Sequence, residues 1–443
     1  TSYIVIGQMK ITGRTASDIF ENIRREAHAG RLAAGQALPP VRELAERLAI
    51  NRNTVASAYK KLVAAGIAET LGRNGTVIRP PAHAGEQEGM PPGSPLMDLA
   101  GGNPDPAWLP DPLRALAASG YQPTLYGAPV LDPELERLAH QWLGPDCRDD
   151  YSLTLAHGAV DAIERLFAAY LVPGDKVAVE DPCFLGSLNT LRCAGLGPAP
   201  VAMDEHGMRP EALEAALAEG AQAVLCTPRA QNPTGCNLTG KRALELSRVL
   251  ARHPHVLVIE DDHFALLAQA PYFSIVPPTS ARWALLRSVS KGFGPDLRMA
   301  FVASDADTAA RLGMRLAPGT TWVSHLLQAT VRGLLGSEVA MARIRAAGGV
   351  YAERREALIA ALRAHGLAAQ QPCDGLNVWL PLPTGADAAR VAQALAQMGW
   401  CVRTGDAFAV ESVAPALRIT VSTLEPAAAT RFASQLGRYL REA

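Results

Sequence analysis

The sequence predicts a large α/β body with a mainly parallel sheet, preceded by a small helix-and-hairpin module. Three observations carry that reading. From residue 96 onward, short apolar runs at Lys176–Val179, Ala223–Cys226, Val256–Ile259 and Trp283–Arg287 alternate with longer stretches rich in Ala, Leu and Arg, the pattern of strands joined by helical crossovers. The first eighty residues instead show three short segments of helical periodicity and then an alternating run broken by a tight turn. Between the two, Arg79–Pro95 is dominated by Pro, Gly and polar residues without apolar periodicity, which reads as a tether. The expected divisions are 9–80, 81–96 and 97–443.

Within the module, Ile19, Phe20, Ile23 and Ala27 recur at helical spacing from Thr15 to His28, and Gly30 supplies a stop. Leu38-Pro39-Pro40 fixes an extended approach to a short helix, Val41–Leu48. Asn51 is expected to cap a third helix running to about Ala65, with Val55, Ala58, Tyr59, Leu62 and Val63 inward. That arrangement leaves Arg52, Asn53, Thr54, Ser57 and Lys60 on the outer side. Ile67–Ile78 alternates as a hairpin with Gly72-Arg73-Asn74-Gly75 as its turn.

At 443 residues the chain is long enough for two or three domains with their own cores. No apolar run approaches the roughly 20 residues of a membrane helix, so a soluble, cytoplasmic protein is expected. Thr1–Gln8 lacks a cationic start and a small-residue cleavage site, and reads as an added stretch ahead of a native Met9. The seven cysteines are scattered without a Cys-x-x-Cys pair, and no His cluster has metal spacing, so reduced thiols and no metal are expected. The net charge of −1 conceals an asymmetry: residues 1–81 hold 12 Lys and Arg against 6 Asp and Glu, leaving the remainder at −7. A basic module on an acidic body suits a phosphate backbone at one end.

Side chains at the start of the third helix are those a major-groove helix would use, and a turn offering Arg73 looks like a wing. Singly, Arg42, Arg52, Lys60 and Arg73 would be read as a solvated face. The whole run, from Leu38-Pro-Pro-Val-Arg-Glu-Leu-Ala through Asn51-Arg-Asn-Thr-Val-Ala-Ser-Ala-Tyr to Gly75-Thr-Val, resembles the winged helix of the GntR superfamily. The resemblance implies binding to double-stranded DNA, with Arg42 and the Arg73 wing on phosphates and Arg52, Asn53 and Thr54, with Lys60 beyond them, facing the groove.

In the body, candidate residues fall just after strand-like runs, where open α/β sheets collect ligands. His157-Gly158-Ala159-Val160 opens a helix whose backbone N–H groups can hold a phosphate, although glycine before a helix is common. Phe184 in Glu180-Asp-Pro-Cys-Phe can lie flat on a ring or simply pack. Asn232 in Asn-Pro-Thr-Gly can donate to a phenolate oxygen, and Asp261 emerges where it can hold a pyridinium nitrogen protonated, with a turn and a helix cap as their ordinary readings. Lys291, on a loop after Trp283–Arg287, is flanked by Ser288 and Ser290 and followed by Arg298, which combines a Schiff-base amine with hydroxyls and a guanidinium for a phosphate.

In that order these residues resemble the fold-type-I aminotransferases, which use pyridoxal 5′-phosphate (PLP), over residues 97–443. With the winged helix in front, the chain is similar to the MocR/GabR family of regulators and, within it, to members of the PtsJ type. The resemblance implies a large mainly parallel-sheet domain with a smaller C-terminal α/β domain. It implies Lys291 as the Schiff-base lysine, Asp261 on the pyridine nitrogen, Asn232 on the ring hydroxyl and Phe184 stacking. Gly158, Ala159, Val160, Ser288, Ser290 and Arg298 would form the phosphate cup. Tyr126 would reach a phosphate across a homodimer interface, and Arg418 would grip an effector carboxylate. Each DNA-binding domain would pack on the partner's body, in a bacterial cytoplasm and on the nucleoid when DNA is bound.

Two departures stand out. His263 follows Asp261-Asp262 where the family usually has tyrosine, and His157 replaces a Ser or Thr of the phosphate loop. Both weaken the expectation of efficient transamination more than that of PLP binding. The leading expectation is a regulator that senses PLP or an amine adduct, with a role in vitamin B6 metabolism as its refinement. An active aminotransferase carrying a DNA tether, and a repressor whose body only dimerises, are the rivals.

Overall fold

A computed structural model describes residues 11–70, 75–78, 93–411 and 414–442, which form two compact units. In the first, α1 (Ala16–His28) starts from a reciprocal cap: Thr15 Oγ1 accepts from Asp18 N at 3.1 Å, and Asp18 Oδ2 accepts from Thr15 N at 3.0 Å. Helix α2 (Val41–Leu48) ends at Ala49 in the left-handed region, and α3 (Arg52–Ala64) begins at Asn51, whose Oδ1 accepts from Asn53 N at 2.8 Å. Ile19, Ile23, Leu44, Val55, Ala58 and Leu62 close the core.

Val63, expected inward, is 38% exposed. It stands next to Leu62, and a helix step of about 100° carries it off the stripe that Val55, Ala58, Tyr59 and Leu62 share. Strand β1 (Ala68–Thr70) pairs antiparallel with β2 (Thr76–Ile78). The hairpin is tied back to the chain before α2, since Leu38 N donates to Thr76 O at 2.8 Å. Of the expected turn, Arg73 and its neighbours up to Asn74 lie outside the described residues, as does most of the tether.

The second unit opens with β3 (Met97–Asp98) and contains an eight-stranded sheet. Its strands in chain order are β4 (Ser152–Ala156), β5 (Lys176–Asp181), β6 (Gly197–Asp204), β7 (Gly207–Met208), β8 (Ala221–Cys226), β9 (Leu257–Asp261), β10 (Trp283–Ser288) and β11 (Ala300–Ser304). They lie in the order β4-β11-β10-β9-β8-β5-β6-β7. The run β6-β5-β8-β9-β10 is parallel, while β11 is antiparallel to both β10 and β4. Strands β8 to β10 are apolar on both faces because helices cover both sides, and Val224, Val258, Leu285 and Phe301 are buried in one core.

A smaller sheet of β12 (Asn377–Pro381), β15 (Ala416–Thr420) and β14 (Arg403–Thr404) packs on a separate apolar cluster with Phe432 and Leu436 of the C-terminal helix Pro426–Glu442. Strand β13 (Trp400–Cys401) pairs in parallel with β3, so the start of the unit is built into its C-terminal part.

Candidate functional site

Sheet register assembles the site. Ser288, the last residue of β10, lies opposite Ala300 of β11, and Ala300 lies opposite Ala156, the last residue of β4. Arg298, two residues before Ala300, is therefore brought against His157 and Gly158, which are remote from it in sequence. Its Nη2 donates to His157 O at 3.3 Å, and its backbone is left-handed at φ 41°. A non-glycine residue persists there only where its surroundings hold it.

On the same edge Asp261 ends β9, Thr227 follows β8 and Phe184 follows β5. Asp261 therefore terminates a strand and caps no helix. Lys291, expected on a loop, instead lies in a single helical turn, Ser290–Phe293, directly after β10. Ser288 Oγ and Ser290 Oγ are 3.0 Å apart in a hydrogen bond.

A cavity of about 320 Å³ gathers Ala159, Val160, Phe184, Asn232, Asp261, His263, Ser288, Ser290, Lys291 and Arg298. Asn103, Thr227 and Pro295 complete the wall. Asn103 and Thr227 lie in no motif that stands out in the sequence, whereas Pro295 falls inside the run from Ser288 to Arg298. Gly158 stands at the edge, and its φ of 96° starts the helix Ala159–Tyr170. Tyr126 is 91% exposed and outside the cavity. Arg418 is fully buried behind it: Nη1 donates to Asn232 Oδ1 at 3.1 Å, Nη2 donates to Ala100 O, and the guanidinium sits 5.0 Å over the Phe408 ring.

The electrostatics are equally specific. Burial pushes the Asp261 carboxyl up to about 7, the charge of Asp262 adds to this, and Lys291 opposes it. Its Oδ1 is a buried oxygen with no hydrogen-bond partner among the described residues, the position of an acceptor awaiting a donor. Asp262, fully buried beside it, is neutralised: its two oxygens accept from Arg229 Nε and Nη2 at 2.7 and 2.8 Å, and Oδ2 also accepts from Arg287 Nε at 2.9 Å. This network was not legible, since Arg229 and Asp262 are separated by 33 residues. Among the described residues, no group of His, Cys, Asp and Glu could hold a metal ion, and no helix is long and apolar enough to cross a membrane.

A flat heteroaromatic phosphate fits these residues. The orphan Asp261 oxygen suits a ring N–H, Phe184 supplies an aromatic wall, and the phosphate end is a cradle that a side chain would obstruct. A β-carbon on Gly158 would lie 3.0 Å from Arg298 Nη2.

In the first unit, Arg52, Asn53, Ser57 and Lys60 are exposed on α3 and Thr54 is half-buried. Arg42 is exposed on α2, where Glu46 accepts from its Nε at 3.0 Å and lies 3.9 Å from Arg52. Tyr59 anchors the reading helix from inside, donating its hydroxyl to Pro39 O at 2.7 Å.

A DNA-reading helix-turn-helix unit and a PLP-type cavity in one chain define a transcription regulator with an aminotransferase body. Residues 15–78 match the gntR family of bacterial regulatory proteins, and residues 94–436 match aminotransferase class I and II. The chain belongs to the MocR-like regulators that fuse these two families, and PLP is the cofactor of its body. It is 50% identical over 430 residues, 97% of this chain and 99% of the relative, to the vitamin B6 salvage pathway transcriptional repressor PtsJ of Salmonella typhimurium. It is 25% identical to the probable rhizopine catabolism regulatory protein MocR of Rhizobium meliloti, over 78% of this chain and 77% of that one. Among solved structures, kynurenine aminotransferase of Pyrococcus horikoshii superposes with a TM-score of 0.71 at 21% identity, covering 79% of this chain and 92% of that chain, a likeness of fold.

Proposed function

We propose that this regulator represses genes of vitamin B6 salvage and reads PLP itself as its signal. The observation that carries the reading is the cavity in which Lys291, Asp261, Arg298 and Phe184 converge. The near-full-length kinship to a vitamin B6 salvage repressor supports the choice of pathway. PLP, when bound, supplies an aldehyde for an amine and a ring that accepts electrons.

The chain's own residues then have distinct tasks. Lys291 offers the amine, half-buried and hydrogen-bonded. Asp261 holds a proton on the ring nitrogen, and Asn232, braced by Arg418, faces the ring oxygen. Gly158, Ala159, Val160, Ser288, Ser290 and Arg298 receive the phosphate through N–H, O–H and guanidinium donors. Phe184 covers a ring face, and His263 stands in the wall where a second ring contact belongs. Any transamination is residual, because His157 supplies no hydroxyl at the phosphate and His263 no phenol.

The protein acts as a homodimer in which Tyr126, exposed on one protomer, completes its partner's phosphate site, and DNA-binding domains are exchanged between bodies. Arg52, Asn53 and Thr54, with Lys60 beyond them, face the groove, while Arg42 and Arg73 meet phosphates. The test is DNA affinity at fixed salt with and without PLP, for wild type and Lys291→Ala. A PLP-dependent change in wild type that the variant lacks supports the reading. No change in wild type sinks it and passes the signal to another amine ligand or leaves the body a dimerisation device.

A further inference from the structure

The segment Leu99–Asn103 joins the body back to residues 81–96, and its successive carbonyls are held from two sides. Leu99 O accepts from Thr420 N at 2.8 Å, and Ala100 O accepts from Arg418 Nη2. Leu99 N donates to Cys401 O at 2.8 Å. These bonds run to β15 of the smaller sheet and to β13, the partner of β3. Gly102 O, by contrast, accepts from Lys291 Nζ at 2.5 Å, a bond to the helical turn Ser290–Phe293 that follows β10 of the large sheet. Gly101 lies between the two anchors, and neither it nor Gly102 carries a side chain to hold the backbone. Asp98 Oδ1 caps the turn by accepting from Ala100 N and Gly101 N at 2.9 and 2.8 Å.

We propose that Lys291 is a latch on this segment, and that capture of its amine by the aldehyde of the signal molecule releases Gly102 and loosens residues 99–103. The inference rests on the proposed reading of PLP at Lys291. In the condensation, the C=N bond forms as the aldehyde C=O breaks. The aldehyde oxygen leaves as water with two hydrogens of the ammonium, while one N–H and the positive charge stay on the nitrogen. A rotating head with three donors becomes a planar nitrogen with one, fixed in the plane of the double bond. The Gly102 carbonyl thus loses its freely oriented donor. The freed backbone adjoins β3, beyond which the chain runs into residues 81–96, so the chemical event at the cavity reaches the part of the body next to the tether.

The experiment is amide hydrogen exchange of residues 97–105 in the full-length wild-type protein, either free, with PLP, or with pyridoxine 5′-phosphate. The last has an alcohol in place of the aldehyde and fills the cavity without condensing. Cofactor binding is followed by absorbance in the same samples. The expected result is exchange at residues 99–103 at least about threefold faster with PLP than without, and unchanged with pyridoxine 5′-phosphate. Lys291→Ala should exchange at the fast rate with or without PLP. Equal rates with and without bound PLP overturn the latch while leaving the PLP reading intact, as does an equal response to both ligands. Absence of any PLP band in wild type overturns both.

Discussion

Gly158 and Arg298 face one another across the phosphate end of the cavity so closely that a β-carbon on the glycine would stand 3.0 Å from Nη2 and 3.3 Å from Cζ of the arginine. The glycine's φ of 96° adds a backbone penalty for any side chain. Gly158→Ala is therefore expected to weaken PLP binding by at least about tenfold and to lower stability by roughly 1 kcal/mol. An absorbance titration and a urea melt check the two effects. Unchanged PLP affinity would remove the phosphate from this corner.

Asp261 gives a pH-dependent prediction. Its carboxyl is raised from 3.8 to about 7, so the folded chain holds this proton more tightly than the unfolded chain. Its contribution to the stability of the cofactor-free protein is complete below about 3.8 and is lost as the pH climbs through about 7. Asp261→Asn should stabilise the free protein at pH 8 by up to a few kcal/mol and much less at pH 5. The same change should weaken PLP binding, because an amide cannot hold a protonated ring nitrogen. Glu180 and Glu260, also raised to about 7 by burial, titrate in both proteins, so the difference between variant and wild type isolates Asp261.

Asp262 is the counter-charge of Arg229 and Arg287, and all three are buried. Asp262→Ala strands two guanidinium groups beneath the cavity, with an expected loss of about 3–5 kcal/mol. A urea midpoint that moved by less than a third of this would mean that Asp146, the other acidic partner of Arg287, carries the network.

Glu46 draws on both Arg42 and Arg52 at the DNA-reading face. Glu46→Gln should tighten DNA binding about two- to fivefold at low salt and steepen the salt dependence, since both arginines become available to phosphates. Asn53→Ala should act differently, costing about tenfold on the preferred site and little on unrelated DNA. Binding isotherms on the two DNAs across a salt series separate the outcomes.

Most of the architecture was legible because it depends on local pattern. Thr15 and Asn51 announced their helix starts, and the apolar runs marked β8 to β10 to within a few residues. Lys291, Asp261, Asn232 and Arg298 stood out because each sits in a compact motif at a strand end. Val63 faces outward because a helix stripe is only a fraction of its circumference, and the helical turn that holds Lys291 is not legible because four residues leave no periodic trace. Asn103 and Thr227 escaped notice since neither polar type is unusual in its local context.

The chain by itself determined which residues would carry the chemistry and that a DNA reader precedes an α/β body, since both follow from side-chain type, spacing and hydrophobic period. Only the tertiary structure decided how those groups act on one another. Register across β4, β11 and β10 pressed Gly158 against Arg298. Burial set the charge of Asp261 and matched Asp262 to Arg229 and Arg287. Folding carried the Gly102 carbonyl to Lys291 across 189 residues. Distance, desolvation and hydrogen-bond satisfaction are properties of groups that meet in space, and no local stretch of sequence encodes a meeting between remote ones.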